Sequence, residues 1–331
     1  MLLERKKSSC SEYWSTLDGG DDPHAMDGLE GGHHDNGHHG AAPPAAEEAG
    51  AASEEEEEEE EEGDGSELGL QSHWDDVYAH ELALHREHGE QGEIWFGADV
   101  QETMADFTAR LAAAVAGGTY AGPGSLGERG RPDAGGAAQW DVLDVGCGNG
   151  LLLHALAHRG FQRLTGTDYS EAGVQLACDL LARLPAAASP ALRAAALLVD
   201  DVLASKLAAP FQLVTDKGTL DAVGLHPTQG AARRRAYRHA MAHLVRPGGL
   251  LVITSCNSTT DELIAEFTMP PSEATPASNG TLNEEENGSE VYCCDPAFDY
   301  VDHVRSYPVY HFGGSSGTRV CTVAFKRRGS H

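Results

Sequence analysis

The sequence predicts an α/β fold built on a doubly wound, largely parallel sheet, and three observations lead there. Short apolar runs alternate with amphipathic segments through the second half of the chain, at the spacing of βαβ units. The first of these runs breaks into glycine at alternate positions, in "VLDVGCGNGLLL" (142–153). Four successive runs then end in acidic residues: Asp144, Asp168, the pair Asp200 and Asp201, and Asp216. In such sheets ligands bind outside the carboxyl ends of the strands, so these acids mark the functional edge.

Residues 1–70 stand apart. They hold 21 acidic and three basic residues, including the unbroken run Glu54–Glu62, within a chain of net charge −29. Few apolar side chains offset the entropy of ordering such a segment, and it is expected to be a disordered acidic tail whose deletion leaves activity nearly intact. Residues 71–331 form the expected folded domain, long enough for one sizeable core.

Helical periodicity marks 72–90, with apolar Trp74, Val77, Tyr78, Leu82 and Leu84, and again 99–115, with Val100, Met104, Phe107 and Leu111 on one stripe. "GEIWFG" (92–97) is the loop between them, and the Gly/Pro-rich stretch 117–139 is another. Strands are expected at 140–146, 163–168, 192–201, 211–218 and 247–256, with helices at 149–159, 170–184 and 229–245 between them. Ser170 is positioned as an N-cap. Thr259 and Glu262 have the spacing of a capping box for a helix over 259–267. Residues 270–297, rich in Pro, Ser, Asn and Glu, read as a disordered acidic surface insertion. "YVDHVRSYPVY" (300–310) and "TRVCTVAFK" (318–326), joined by "HFGGSSG", read as a closing antiparallel hairpin.

Composition excludes several classes. The acidic balance argues against nucleic acid as the main partner. No stretch approaches the roughly 20 apolar residues of a membrane span, and "MLLERKKSSC" has no apolar core of a secretory leader. The seven cysteines show neither CxxC pairs nor metal-ligand spacing, as expected of reduced thiols in a cytoplasmic protein without a metal site. His154 and His158 stand one helical turn apart with no third ligand in view, and read as a solvated helix face.

The glycines are Gly146, Gly148 and Gly150, a GxGxG spacing. Dinucleotide sites need GxGxxG, and Leu151 occupies the position of that last glycine. Asp144, two residues ahead of Gly146, would repel a pyrophosphate on the loop and attract a cation. A cofactor with a cationic amino-acid end and no phosphate fits better, and S-adenosyl-L-methionine has that chemistry. Asp168, 18 residues beyond Gly150, suits both ribose hydroxyls, and Asp200 and Asp201 suit the adenine amino group.

At the fourth strand end, "DKGTLDA" (216–222) resembles the lysine methyltransferases that act on elongation factor 1-alpha. With "GEIWFG" (92–97), "ITSCN" (253–257) and "FGGSSG" (312–317), the chain resembles the elongation factor 1-alpha lysine methyltransferase 2 family over most of 73–267 and 298–327. The resemblance implies a Rossmann-like sheet of seven strands, the last antiparallel, and elongation factor 1-alpha as the protein partner. It implies a cofactor laid across Trp95, Asp144, Gly146, Gly148, Asn149, Gly150, Asp168, Tyr169, Asp200, Asp201, Val202 and Asp216. It also implies that Trp95 and Phe96 close over the methionine or substrate side, Phe96 lining the substrate channel.

Methyl transfer to lysine requires a neutral amine in line with the sulfonium methyl, and an aromatic-walled channel lowers the amine pKa by desolvation. Asp216 is the candidate catalytic residue, docking the ammonium or taking its proton. Trp95 and Phe96 either wall the channel or belong to the core, Asp216 either docks substrate or caps a helix, and Lys217 is expected to face solvent or an acid. Three other functions remain open: transfer to a small-molecule amine, a non-catalytic interaction protein on this fold, and an NAD oxidoreductase. Leu151 argues against the last, and the intact glycine loop with its strand-end acids against the second.

Overall fold

A computed structural model describes residues 66–127, 132–183, 189–208, 210–269, 297–307, 309–312 and 315–329. The chain divides after Gly63, and the described residues belong to its second unit. The expected tail up to residue 65, and the expected insertion apart from Ala297, lie outside the described residues.

Strands β1 (Asp141–Val145), β2 (Arg163–Asp168), β3 (Ala196–Val199), β4 (Phe211–Lys217), β5 (Val245–Ser255), β6 (Phe298–His303) and β9 (Cys321–Arg327) form one seven-stranded sheet, ordered β3-β2-β1-β4-β5-β9-β6. The pairs from β3 through β5 are parallel, and β9 runs antiparallel to both neighbours. Between β6 and β9 the chain makes a separate two-stranded ribbon, β7 (Val309–Phe312) with β8 (Ser315–Thr318). The single closing hairpin expected there is thus two nested antiparallel pairs.

Alternation along the strands divides the core in two. Val142, Leu213, Leu250 and Val252 face a layer holding Met104, Leu111, Leu153, Leu156 and Phe161, from α2 (Ala98–Ala116), α3 (Leu151–His158) and the turn after it. Leu143, Val214, Leu251 and Ile253 face the opposite layer, with Leu220, Tyr237, Met241, Leu263 and Phe267 from α6 (Thr219–Gly224), α7 (Gly230–Leu244) and α8 (Thr260–Thr268). The leading helix α1 (Gln71–His88) packs beside α4 (Glu171–Ala182), where its Tyr78 ring closes on Gly173. No helix among the described residues is long and apolar enough to cross a membrane.

The local signals are met where they are strongest. Ser170 caps α4 by accepting from the Gly173 amide, and both hydrogen bonds of the Thr259–Glu262 capping box are formed. Two expectations are corrected and one helix is added. The run 192–201 is a strand only over Ala196–Val199, because Ser189 and Pro190 start the four-residue helix α5 (Pro190–Arg193) ahead of it. Helix α6 follows β4 after one glycine, too short for periodicity to reveal. His154 is 4 % exposed, its ring 4.5 Å from that of His158, so the first of these histidines belongs to a buried face.

The expected domain boundary at residue 70 is also moved. Glu67–Gly69 form a 3₁₀ turn capped by Ser66, whose amide donates to the Leu225 carbonyl (2.9 Å). Gly69 is buried so closely that a Cβ there would lie 2.3 Å from the His226 nitrogen, and Trp74 Nε1 donates to the Leu68 carbonyl (2.7 Å). A chain starting at Gln71 is therefore expected to be less stable than one starting at Asp64, by about 2 kcal/mol for two lost hydrogen bonds and the uncovered apolar surface. Urea denaturation of the two truncations measures the difference.

Candidate functional site

Parallel pairing brings Val145 opposite both Thr167 and Asp216, and Lys217 opposite Thr254, so β1, β2, β4 and β5 end together. A cleft of about 1190 Å³, its open mouth included, follows this edge. One end is lined by Gly146, Gly148, Asp168, Tyr169, Asp201 and Val202, and the other by Trp95, Phe96, Lys217, Gly218 and Cys256.

The glycine loop is held from beneath. The Cys147 amide donates to the Thr167 carbonyl (2.8 Å), and the Gly148 amide to Asp168 Oδ2 (2.9 Å). All three glycines have positive φ, and each also makes room for a protein atom. A Cβ on Gly146 would lie 2.0 Å from Thr219 Oγ1, and one on Gly148 would lie 2.2 Å from the Tyr78 hydroxyl. Gly150 is not at the cleft: it starts α3, and a Cβ there would lie 3.1 Å from Ala177 of α4. Thr219, Tyr78 and Ala177 therefore demand glycine at these positions, whatever ligand approaches the loop.

Asp168 is 6 % exposed, and its carboxylate accepts from the amides of Gly148 and Ser170, both at 2.9 Å. Burial raises its pKa to about 6, against the lowering effect of those two amides. Each oxygen keeps acceptor capacity toward the cleft, enough for a pair of hydroxyls. Asp200 and Asp201 line the cleft beside it, and both also hold the backbone of the following turn, accepting from Lys206 and Leu203 at 2.9 Å. Asn149 lines the cleft and reaches across it, its side-chain amide donating to the carbonyls of Gln91 (3.3 Å) and Glu93 (3.0 Å).

Asp144 and Asp216 do not reach the cleft. Asp144 is 2 % exposed and accepts from the Thr215 hydroxyl (2.9 Å). Burial carries its pKa up to about 7, opposed by Thr215 and the charge of Lys217. Asp216 is fully buried and accepts from the amides of Thr219 (2.9 Å) and Leu220 (3.0 Å) and from the Tyr237 hydroxyl. It takes the first two amides of α6 from two residues ahead of the N-cap Gly218, and the role expected of it, meeting the substrate amine, is corrected: its oxygens face the start of a helix and a tyrosine. Burial lifts its pKa to about 7 as well, against those donors.

Aromatic rings close the opposite end. Trp95 meets Trp74 edge to face with centroids 4.7 Å apart, and Tyr78 and Phe96 extend the wall. Sequence reading missed Leu68, Gly69, Trp74, Tyr78 and Arg233, which line the cleft from elements distant along the chain. The pattern of α1 put Trp74 and Tyr78 on one apolar stripe without showing that the stripe covers a glycine loop. Lys217 has the acidic neighbours expected of it, Asp144, Asp216 and Glu93, but its ammonium is buried away from solvent and donates to the Trp95 carbonyl (3.2 Å).

A family described as "Methyltransferase domain" matches residues 138–292. Over 263 residues the chain is 30% identical to EEF1A lysine methyltransferase 2 of Danio rerio, covering 79% of this chain and 88% of that protein. The same protein of Homo sapiens is 29% identical, with 79% and 87% covered. Protein-lysine N-methyltransferase EFM4 of Saccharomyces cerevisiae is 28% identical over 269 residues, with 80% and 96% covered.

If Asp216 serves as a cap bonded to Tyr237, Asp216→Asn and Tyr237→Phe are each expected to lower the unfolding free energy by about 1–3 kcal/mol. Their effects are expected to be non-additive by about 1 kcal/mol, because the two share one hydrogen bond. A double-mutant cycle by chemical denaturation reads the coupling.

Proposed function

The chain belongs to the EEF1A lysine methyltransferase 2 family, and we infer that it transfers a methyl group from S-adenosylmethionine to a lysine of translation elongation factor 1-alpha, in the cytoplasm. One observation carries this reading: a single cleft joins a glycine loop and a ring of strand-end acids to an aromatic wall. Cofactor and lysine side chain would meet where the two ends join. The four described cysteines Cys147, Cys178, Cys256 and Cys321 are free thiols, in keeping with a reducing compartment.

The residues present fit the cofactor. The loop Gly146–Asn149 offers backbone without bulk, and no lysine or arginine stands on it to call for a phosphate. In this reading Asp168 receives the ribose hydroxyls, while Asp200, Asp201 and Val202 border the adenine and Tyr169 the ring between them. Trp95 lines the methionine side and Phe96 the lysine channel. Asp144, Gly150 and Asp216 act from behind, shaping the loop and the start of α6. The bound cofactor supplies a methyl group already activated on a sulfonium, so no covalent enzyme intermediate is needed.

The protein's own task is to deliver a neutral amine. A free lysine has a pKa of about 10.4 and arrives charged. The rings of Trp74, Trp95 and Phe96 strip its water, and that desolvation lowers the pKa. The channel then holds the amine in line, and positioning supplies much of the rate.

The test is transfer of labelled methyl from the cofactor to purified elongation factor 1-alpha, with mass spectrometry to locate the mark. Label on one lysine is expected, and tight cofactor binding without label would move the substrate to another amine. Asp168 adds a pH dependence. It accepts hydroxyls best as a carboxylate, so cofactor affinity is expected to be flat above about pH 6 and to weaken by up to about tenfold per unit below it. Asp168→Asn is expected to bind more weakly with that dependence removed, which calorimetry across pH 5–8 measures.

A further inference from the structure

We infer that Lys217 and Gly218 form a seat that holds the Trp95–Phe96 lip over the reacting end of the cleft, making Lys217 a positioning residue for methyl transfer. The inference rests on the reading above in one respect only, that this end of the cleft is where lysine meets cofactor.

The lip is the stretch between α1 and α2, and it has no regular structure over Gly89–Glu93. Its first half is tied by Asn149, through the Gln91 and Glu93 carbonyls, and by Glu81, whose Oε1 accepts from the Glu93 amide at 2.9 Å. Its second half carries the two rings and makes a tight turn, closed by the Gly97 amide on the Ile94 carbonyl (2.8 Å). Within that turn Phe96 has φ 71°, the one positive value at a non-glycine residue among the described residues. A bulky side chain in that region is strained, and it persists only where the surroundings impose it.

Two adjacent residues at the end of β4 impose it. The Lys217 ammonium donates to the carbonyl of Trp95, the peptide oxygen just ahead of the strained residue, and lies 5.8 Å from the centre of the Phe96 ring. A charged donor makes a stronger hydrogen bond than a neutral one. On the other side the Phe96 ring lies against Gly218: a Cβ there would come within 3.1 Å of Cζ and 3.4 Å of Cε2. The lysine holds the backbone and the glycine makes room for the ring.

The cost of placing a cation there is met locally. Burial lowers the Lys217 pKa, while Asp144, Asp216 and Glu93 act against that by favouring the charged form. Because Lys217 is paired in register with Thr254 of β5, and Asp216 with Val145 of β1, the lip rides on the strand ends that carry the glycine loop. Both walls of the cleft therefore share one support, and a shift of the lip would misplace the amine channel without disturbing the cofactor end.

The test uses the full chain with Lys217→Met, Lys217→Arg and Phe96→Leu. Three readouts are taken: hydrogen exchange of the 92–98 amides, cofactor affinity by calorimetry, and steady-state transfer to elongation factor 1-alpha. Lys217→Met is expected to speed lip exchange by about tenfold or more while β1 and β4 stay protected. It is expected to lower kcat by about tenfold or more and to leave the cofactor Kd within about threefold. Arginine keeps the donor and is expected to restore much of both protection and kcat, and Phe96→Leu to loosen the lip as methionine does.

Unchanged lip exchange in Lys217→Met would overturn the seat. Faster exchange with full kcat would overturn its role in the reaction. A lip held firmly by Lys217→Arg with no recovery of kcat would make Lys217 a group that meets substrate, and overturn positioning. If the wild-type protein labels no elongation factor 1-alpha, exchange still decides the seat while the functional reading falls separately.

Discussion

The buried carboxylate of Asp216 is the constraint on which the site depends. A charge-bearing group with no exposed surface must be hydrogen-bonded, and it takes the amides of Thr219 and Leu220 and the hydroxyl of Tyr237. Those bonds fix where α6 begins. Once it begins there, Thr219 lies over Gly146 with its hydroxyl on the Val145 carbonyl (2.9 Å). Two residues on, Asp221 reaches the other neighbouring strand, accepting from the Ser255 hydroxyl (2.5 Å) and the Cys256 amide (2.8 Å). A single acid at the end of β4 thus sets the geometry of the loops on both sides of it.

The acids of the strand ends then divide by what surrounds them. Asp144 and Asp216 lie behind the cleft, bonded to protein, and burial pushes both toward pKa values of about 7. Asp168 and Asp201 reach the cleft wall. Asp168 is held by two backbone amides that aim its oxygens and oppose the rise caused by burial, which takes its pKa to about 6. Residues of one type, in equivalent positions on adjacent strands, therefore serve as internal caps or as acceptors for a ligand, and hydrogen-bond donors within reach decide which.

The aromatic end is organised differently, by stacking and backbone strain. Trp74, Tyr78 and Trp95 build a wall from α1 and the loop after it, and the Tyr78 hydroxyl covers the glycine loop at Gly148. Phe96 is the strained element, and the end of β4 meets it with a cation and a glycine. Rigid strand ends hold a loop that regular hydrogen bonding does not, as expected where a loop must keep a fixed shape beside a reacting group.

Much of the fold was legible in sequence because the central strands are buried on both faces and most helices carry one apolar stripe, two patterns that survive without tertiary knowledge. The capping residues Ser170 and Thr259 were legible for the same reason, since their partners lie within one turn. Asp168 and Asp201 could be found from the spacing of strand ends. Asp216 was found for the wrong role, because the tyrosine that engages it lies 21 residues away on another helix. Trp74, Tyr78 and the Leu68–Gly69 turn were missed as cleft walls because contacts between distant segments leave no local pattern. The order of elements, their faces and the acids at the functional edge were determined by the sequence alone, through periodicity and short-range hydrogen bonding. Which acids face the cleft, what fills the space over each glycine and what holds the lip were decided only by the packed structure, where burial selects the partner of every polar group.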